Sequence, residues 1–243
     1  LADMDVTDAN WVLLYDHYDP HKQGQRESLC ALGNGKWFVR GAASESLADD
    51  THYPATYVAG GYNTMRVEIE ELKKDGDPPL DIEELVNMPN SMHQAFKIDD
   101  SDWFSLDKVE IREYSQRLDL RQGVLYRTVV FRDQQGRETK TCERRFVHMR
   151  YSHLGGIETR VTALNWSGKV TMRSGIDGRV RNGNDTMDPR CQNNKHLQTL
   201  ERSANNHVIF LKAITTDSRL VVSQAARIAV HCSNKQYAMN KRN

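Results

Sequence analysis

Apolar and polar residues alternate with a period of two along much of the chain, the pattern of strands that turn one face to a core and the other to solvent. Val124–Arg132 (V-L-Y-R-T-V-V-F-R) is rich in β-branched and aromatic residues and too short for a typical helix. Asp133-Gln134-Gln135-Gly136 follows as a polar turn ending in glycine, and residues 137–149 resume as a strand, which predicts a hairpin. Residues 109–118 lead into a second tight connection, Asp119-Leu120-Arg121-Gln122-Gly123. In residues 157–164, Ile157, Thr159, Val161 and Ala163 face one way and Glu158, Arg160 and Thr162 the other. Asn165-Trp166-Ser167-Gly168 then turns the chain, and residues 169–177 run back. Residues 207–216 and 219–232 form a last pair across Thr216-Asp217-Ser218. The helix candidates are short, such as residues 82–86 after the Pro78-Pro79 break. Consecutive strands with brief turns predict an all-β, antiparallel fold, a large sandwich formed as a single domain over residues 1–243.

Composition narrows the function classes. Lysine plus arginine and aspartate plus glutamate both number 33, so net charge gives no reason to expect a nucleic-acid partner. The first eight residues lack a basic start and an apolar run, and no segment is long enough to span a bilayer, so no membrane partner and a cytoplasmic location are expected. Cys30, Cys142, Cys191 and Cys232 are widely spaced. Cys30 and Cys142 fall in apolar, strand-like patterns, which favours buried free thiols over two disulfides.

Several residues invite chemistry, and each has a plainer account. Asp16-His17-Tyr18-Asp19-Pro20-His21 has metal-binding residue types, but Pro20 forbids the helix that would align the histidines, and a strand end entering a turn is expected. His148 and His153 bracket a turn without ligand spacing, so neither metal nor cofactor is expected. Glu68, Glu70, Glu71, Glu83 and Glu84 stand in charged stretches and are expected on a solvated face rather than as a catalytic acid. Gly33-Asn34-Gly35 offers amides to a phosphate, but a turn with positive φ at asparagine and glycine is favoured. Trp11, Trp37, Trp103 and Trp166 are expected to pack in the core or brace hairpins. Residues 182–195 are polar and aperiodic and predict an exposed loop, whereas residues 51–63 (T-H-Y-P-A-T-Y-V-A-G-G-Y-N) are aromatic and nearly uncharged, as loops that touch a partner are.

Six blocks in order carry a family resemblance. They are E-S-L-C-A-L-G-N-G-K-W-F-V-R-G from Glu27, the block at 51–63, E-L-V-N-M-P-N from Glu84, L-D-L-R-Q-G-V-L from Leu118, E-R-R-F-V from Glu143 and N-W-S-G from Asn165. Together they resemble the amino-terminal region of glycoside hydrolase family 65. Lys36-Trp37-Phe38 departs from that pattern, and residues 182–200 follow it only loosely.

The resemblance implies a galactose mutarotase-like β-super-sandwich ahead of a catalytic (α/α) toroid that is absent from this chain. Family members cleave maltose, trehalose, kojibiose and similar α-linked disaccharides with inversion, through one glutamate of that toroid acting as general acid. It implies no catalytic residue within residues 1–243, with α-glucoside and phosphate bound only through the parent enzyme. Expected partners are the missing carboxyl-terminal domain and a second copy in a homodimer. A sheet edge left open near residue 232 predicts self-association or poor order in the tail. Arg40 either pairs with a buried carboxylate or projects toward the missing domain. His52, Tyr53, Tyr57, Tyr62 and Asn63 are candidates for a domain interface or for sugar contact. A stand-alone carbohydrate-binding module is the alternative function. A sugar epimerase ranks below it, because its paired histidine and glutamate cannot be matched in the sequence.

Overall fold

The computed structural model describes residues 9–67, 80–183, 195–205, 207–232 and 235–237. Expectations for Glu68, Glu70, Glu71 and Cys191, for most of the loop at 182–195, and for the tail beyond residue 237 fall outside the described residues. In chain order the first strands are β1 (Val12–Tyr15), β2 (Leu32–Gly33), β3 (Trp37–Val39), β4 (Thr56–Val58), β5 (Tyr62–Val67) and β6 (Leu80–Leu85). Then come β7 (Asn90–Ile98), β8 (Glu110–Asp119), β9 (Val124–Arg132), β10 (Glu138–Val147), β11 (Gly155–Ala163) and β12 (Val170–Asp177). The last are β13 (Leu197–Ala204), β14 (Val208–Thr215), β15 (Val221–Arg227), β16 (Val230–Cys232) and β17 (Lys235–Tyr237). A seven-residue helix, α1 (Gln23–Leu29), precedes β2. The fold is all-β and antiparallel, as the alternation predicts.

The chain forms two compact units, Leu1–Pro54 with Met92–Ser174, and Ala55–Ser91 with Gly175–Asn243. The first unit is built on the antiparallel sheet β1-β8-β9-β10-β11. Along β9 and β10 burial alternates residue by residue, so the period of two in the sequence becomes one buried and one open face. On the buried face Leu118, Leu125 and Val147 pack with Cys30, Leu32, Val39 and Met92. Val129, Phe131 and Tyr114 pack with Phe96, Ile98, Phe104 and Leu106. Each such side chain stabilises the fold by about 1.5–3 kcal/mol. Both predicted turns are present: Gly136 N–H donates to the Asp133 carbonyl and Gly123 N–H to the Asp119 carbonyl, with φ of +79° and +63° at the two glycines.

The second unit contains the pair β5–β6, the sheet β13-β14-β15 and the pair β16–β17. Its core gathers Val86, Met88, Leu197, Leu211 and Ala213. Gly61 is required by close approach: a Cβ there would lie 2.6 Å from Met88 Cε and 2.8 Å from the Val58 carbonyl oxygen.

Several local expectations are corrected. Residues 82–85 lie in strand β6 and residue 86 just beyond it, rather than in a helix, and Glu84 and Val86 turn inward at a spacing of two. The strand end entering a proline turn expected at residues 16–21 is present: β1 stops at Tyr15, and a 3-10 turn at Pro20–Lys22, with Asp19 Oδ1 accepting from His21 N–H, leads straight into α1. Cys30 is buried but ends that helix instead of lying in a strand, and Cys142 in β10 is only half-buried. Cys232 is exposed rather than buried. In Gly33-Asn34-Gly35 only Gly35 has positive φ, because Asn34 closes the turn with its side chain, accepting from Lys36 and Trp37 N–H. β12 pairs with β7, not with β11, since Asp99 accepts from Lys169 N–H through its side chain and anchors the start of that strand. The strand expected over 219–232 breaks into β15 and β16. Trp166 braces its hairpin through Nε1–H to the Glu138 carbonyl, whereas Trp11 is exposed with Arg121 over its ring.

Candidate functional site

Helix α1 brings Glu27 beneath the segment that carries Arg40, His52 and Tyr53. The Glu27 side chain is 1% exposed, so its charge persists only with partners. Oε1 lies 2.8 Å from His52 Nδ1, Oε2 accepts from Tyr53 N–H at 2.9 Å, and the Arg40 guanidinium stands 3.8 Å away. Arg40 also donates to the Tyr53 carbonyl, the Ser28 hydroxyl and the Gly24 carbonyl. Of the two alternatives for Arg40, pairing with a buried carboxylate is the one the structure contains. Burial works against a charged His52, but the hydrogen bond and charge of Glu27, aided by Asp49 and Glu45, raise it above the ordinary imidazole value. Its Nε2 sits 3.4 Å from the Tyr18 hydroxyl, which donates to Asp107. Gly41, next to Arg40, presses against Cys30, where a Cβ would fall 2.7 Å from both the Cys30 Cβ and its carbonyl oxygen.

Tyr57, Tyr62 and Asn63 belong to the second unit, so the six predicted residues divide between the two units as three and three. Tyr57 is half-buried and Tyr62 is 46% exposed. Asn63 is 1% exposed and fully occupied: its Oδ1 accepts from Asp217 and Ser218 N–H, and its Nδ2 donates to His196 Nδ1 and Thr216 Oγ1. It ties β5 to the turn between β14 and β15.

Two buried clusters are missing from the sequence-derived candidates. Glu84, expected on a solvated face, is 8% exposed and lies 2.7 Å from His196 Nε2. On the buried face of the five-stranded sheet, Glu143 sits between Arg145 and Arg127, accepts from Ser44 Oγ, and shares Arg127 with Glu45. Burial pushes the Glu143 carboxyl up, but Arg145 and Arg127 pull harder and hold it below the usual carboxylate range. The period-two placement of Glu143 and Arg145 among buried positions was the available signal. His196 lies 112 residues from Glu84 and gave none.

The arrangement is therefore one of saturated internal clasps. Glu27, Glu84 and Glu143 each face a cation or hydrogen-bond donors, and a general acid for glycosidic cleavage needs instead a carboxyl that reaches a leaving oxygen. Among the described residues no three histidine, cysteine or carboxylate side chains converge as a metal site, and no helix is long and apolar enough to cross a membrane.

Comparison with known proteins agrees with this frame. The model of the glycosyl hydrolase family 65 amino-terminal domain matches residues 13–243. An uncharacterized glycosyl hydrolase of Mycobacterium tuberculosis is 40% identical over 222 residues, covering 90% of this chain and 16% of that protein. A kojibiose phosphorylase of Caldanaerobacter subterraneus subsp. tengcongensis is 30% identical over 224 residues, covering 91% of this chain and 27% of the enzyme. The same fold occurs in a solved structure described as "Putative kojibiose phosphorylase from human microbiome", with a TM-score of 0.76 at 17% identity over 89% of this chain and 27% of that one. The chain thus spans between about a sixth and about a quarter of the length of these relatives.

Proposed function

The chain belongs to glycosyl hydrolase family 65, as its amino-terminal domain, and on that premise we propose that it is the non-catalytic scaffold of an enzyme of α-linked glucose disaccharides. The parent reaction in this reading is inverting phosphorolysis or hydrolysis, with the acid in an (α/α) toroid outside residues 1–243. Residues 1–243 act as one amino-terminal domain that buttresses the catalytic part, shapes the rim of its pocket and contributes to a homodimer in the cytoplasm. α-Glucoside and phosphate reach the protein only through the parent enzyme.

The observation that carries this reading is the saturation of the buried carboxylates. Glu27, Glu84 and Glu143 are all consumed by partners from the same unit. The activity for which the Caldanaerobacter relative is named, kojibiose phosphorylase, supports the substrate class. The test is direct: the purified 243-residue chain is incubated with kojibiose, trehalose or maltose, with and without inorganic phosphate. Release of glucose 1-phosphate or glucose stays at the buffer rate; turnover above it overturns the proposal.

A further inference from the structure

Two Asn–Gly steps occur in the sequence, Asn34-Gly35 and Asn182-Gly183. Such a step loses ammonia spontaneously, because the glycine nitrogen has no neighbouring side chain to hinder its attack on the asparagine carboxamide. The fold treats the two differently. Asn182 is 2% exposed, and its amide is enclosed: Oδ1 accepts from Asn87 N–H at 2.8 Å, and Nδ2 donates to the Leu85 carbonyl at 3.0 Å and to Glu84 at 3.3 Å. Asn34 is half-buried and Gly35 beside it is exposed, with open space where a Cβ would stand. Asn34 Oδ1 accepts from Lys36 N–H at 3.0 Å and from Trp37 N–H at 2.9 Å. Both donors lie beyond Gly35, so the carboxamide is folded forward along the glycine peptide. Both also point at the oxygen on which charge develops when Gly35 N adds to Cγ. Nδ2 donates to the carbonyls of His148 at 2.9 Å and Ser152 at 3.1 Å, which ties the β2–β3 turn to the loop between β10 and β11.

We propose that Asn34 is a spontaneous deamidation site whose conversion unlatches the loop at residues 148–154. Gly35 N–H gives its proton to hydroxide, and Gly35 N bonds to Asn34 Cγ. The Cγ–Nδ2 bond breaks, and Nδ2 leaves as ammonia after taking a proton from water. Water then opens the resulting succinimide at either of its carbonyls, breaking that carbon's bond to Gly35 N and leaving aspartate or its β-linked isomer. The net change consumes one water and releases one ammonia. A carboxylate accepts hydrogen bonds and gives none, so an oxygen now faces the His148 and Ser152 carbonyls where a donor stood. In the aspartate form Lys36 and Trp37 N–H keep their acceptor, so the turn persists while the loop is released. The loop then depends on bonds within itself, His148 N–H to the Leu154 carbonyl and Leu154 N–H to the Tyr151 carbonyl.

Peptide mapping of the folded 243-residue chain, held in mildly alkaline buffer and then unfolded and digested with trypsin, tests this. Peptide 27–36, released after Arg26 and Lys36, acquires OH in place of NH₂, whereas peptide 182–190 keeps its Asn182 until urea is added. Urea also speeds conversion of Asn34, because it frees Nδ2 from the two carbonyls. Brief trypsin treatment of the folded chain reads the loop. The converted form, separated by anion exchange on its added negative charge, is cut after the exposed Arg150 about tenfold faster than the unconverted form, the loss of about one net hydrogen bond. Asn34→Asp, made directly, is cut at the faster rate. Conversion of Asn182 as fast as Asn34 in the folded chain would overturn the proposal. So would an Asn34 still intact in the folded chain when conversion in urea is complete, or a converted form cut after Arg150 at the unconverted rate. Should Asn34→Asp not fold, the converted wild-type chain supplies the cutting rate.

Discussion

The Glu27–His52 pair of the first unit and the Glu84–His196 pair of the second are made of the same two residues at nearly the same separation, 2.8 and 2.7 Å. They differ in the third partner. Behind His52 stands a hydroxyl whose proton goes to Asp107, leaving a lone pair for a charged ring. Behind His196 stands the Asn63 amide. Glu27 also meets a guanidinium, and Glu84 Oε2 faces an imidazole and the Asn182 amide. A buried carboxylate and a histidine thus do not define an electrostatic role by themselves. The second nitrogen of the ring does.

Removing the carboxylates breaks the comparison most severely. Glu27→Ala leaves a buried cationic cluster without its counter-charge and is expected to cost about 3–5 kcal/mol of stability, read from urea midpoints. Glu84→Ala strands the His196 and Asn182 donors and is expected to cost about 1–3 kcal/mol. Equal losses would erase the distinction between the two clasps.

The pH dependence sharpens it. His52 is raised in the folded protein, so its contribution is complete below about pH 6.5 and fades as pH rises through the folded value. The stability lost between about pH 5.5 and about pH 8.5 therefore shrinks in His52→Gln relative to wild type. A wild-type slope retained in full by the variant would assign it to another group. The smallest effect is expected from Tyr18→Phe, which removes the acceptor at His52 Nε2 at a cost of about 0.5–1.5 kcal/mol and moves the His52 titration toward lower pH. An unmoved titration would show that the 3.4 Å contact does not serve the charged ring.

Periodicity carried the sheets and failed at the clasps for a physical reason. Strands β8 to β11 and their turns were legible because alternation and turn chemistry are local. Helix α1 was not, because Gln23-Gly24-Gln25-Arg26-Glu27 has no apolar stripe; what it buries is Arg26 and Glu27, paid for by partners elsewhere in the chain. The same holds for Glu84, whose charged surroundings at Asp81 and Glu83 concealed a partner more than a hundred residues away. Of the six candidate residues, Arg40, His52 and Asn63 make hydrogen bonds within the fold, and Tyr62 is exposed. The family-like blocks were recognisable by order, but their polar letters serve folding. Asn87 illustrates it, accepting from Thr56 N–H and donating to the Arg181 carbonyl.

Titration calorimetry of the 243-residue chain with kojibiose, and separately with inorganic phosphate, tests most directly whether these residues are spent inside the fold. The account predicts heats no larger than dilution for either ligand. A saturable isotherm that Tyr53→Ala or Tyr57→Ala abolishes while the chain stays folded would contradict it and make the domain a carbohydrate-binding module.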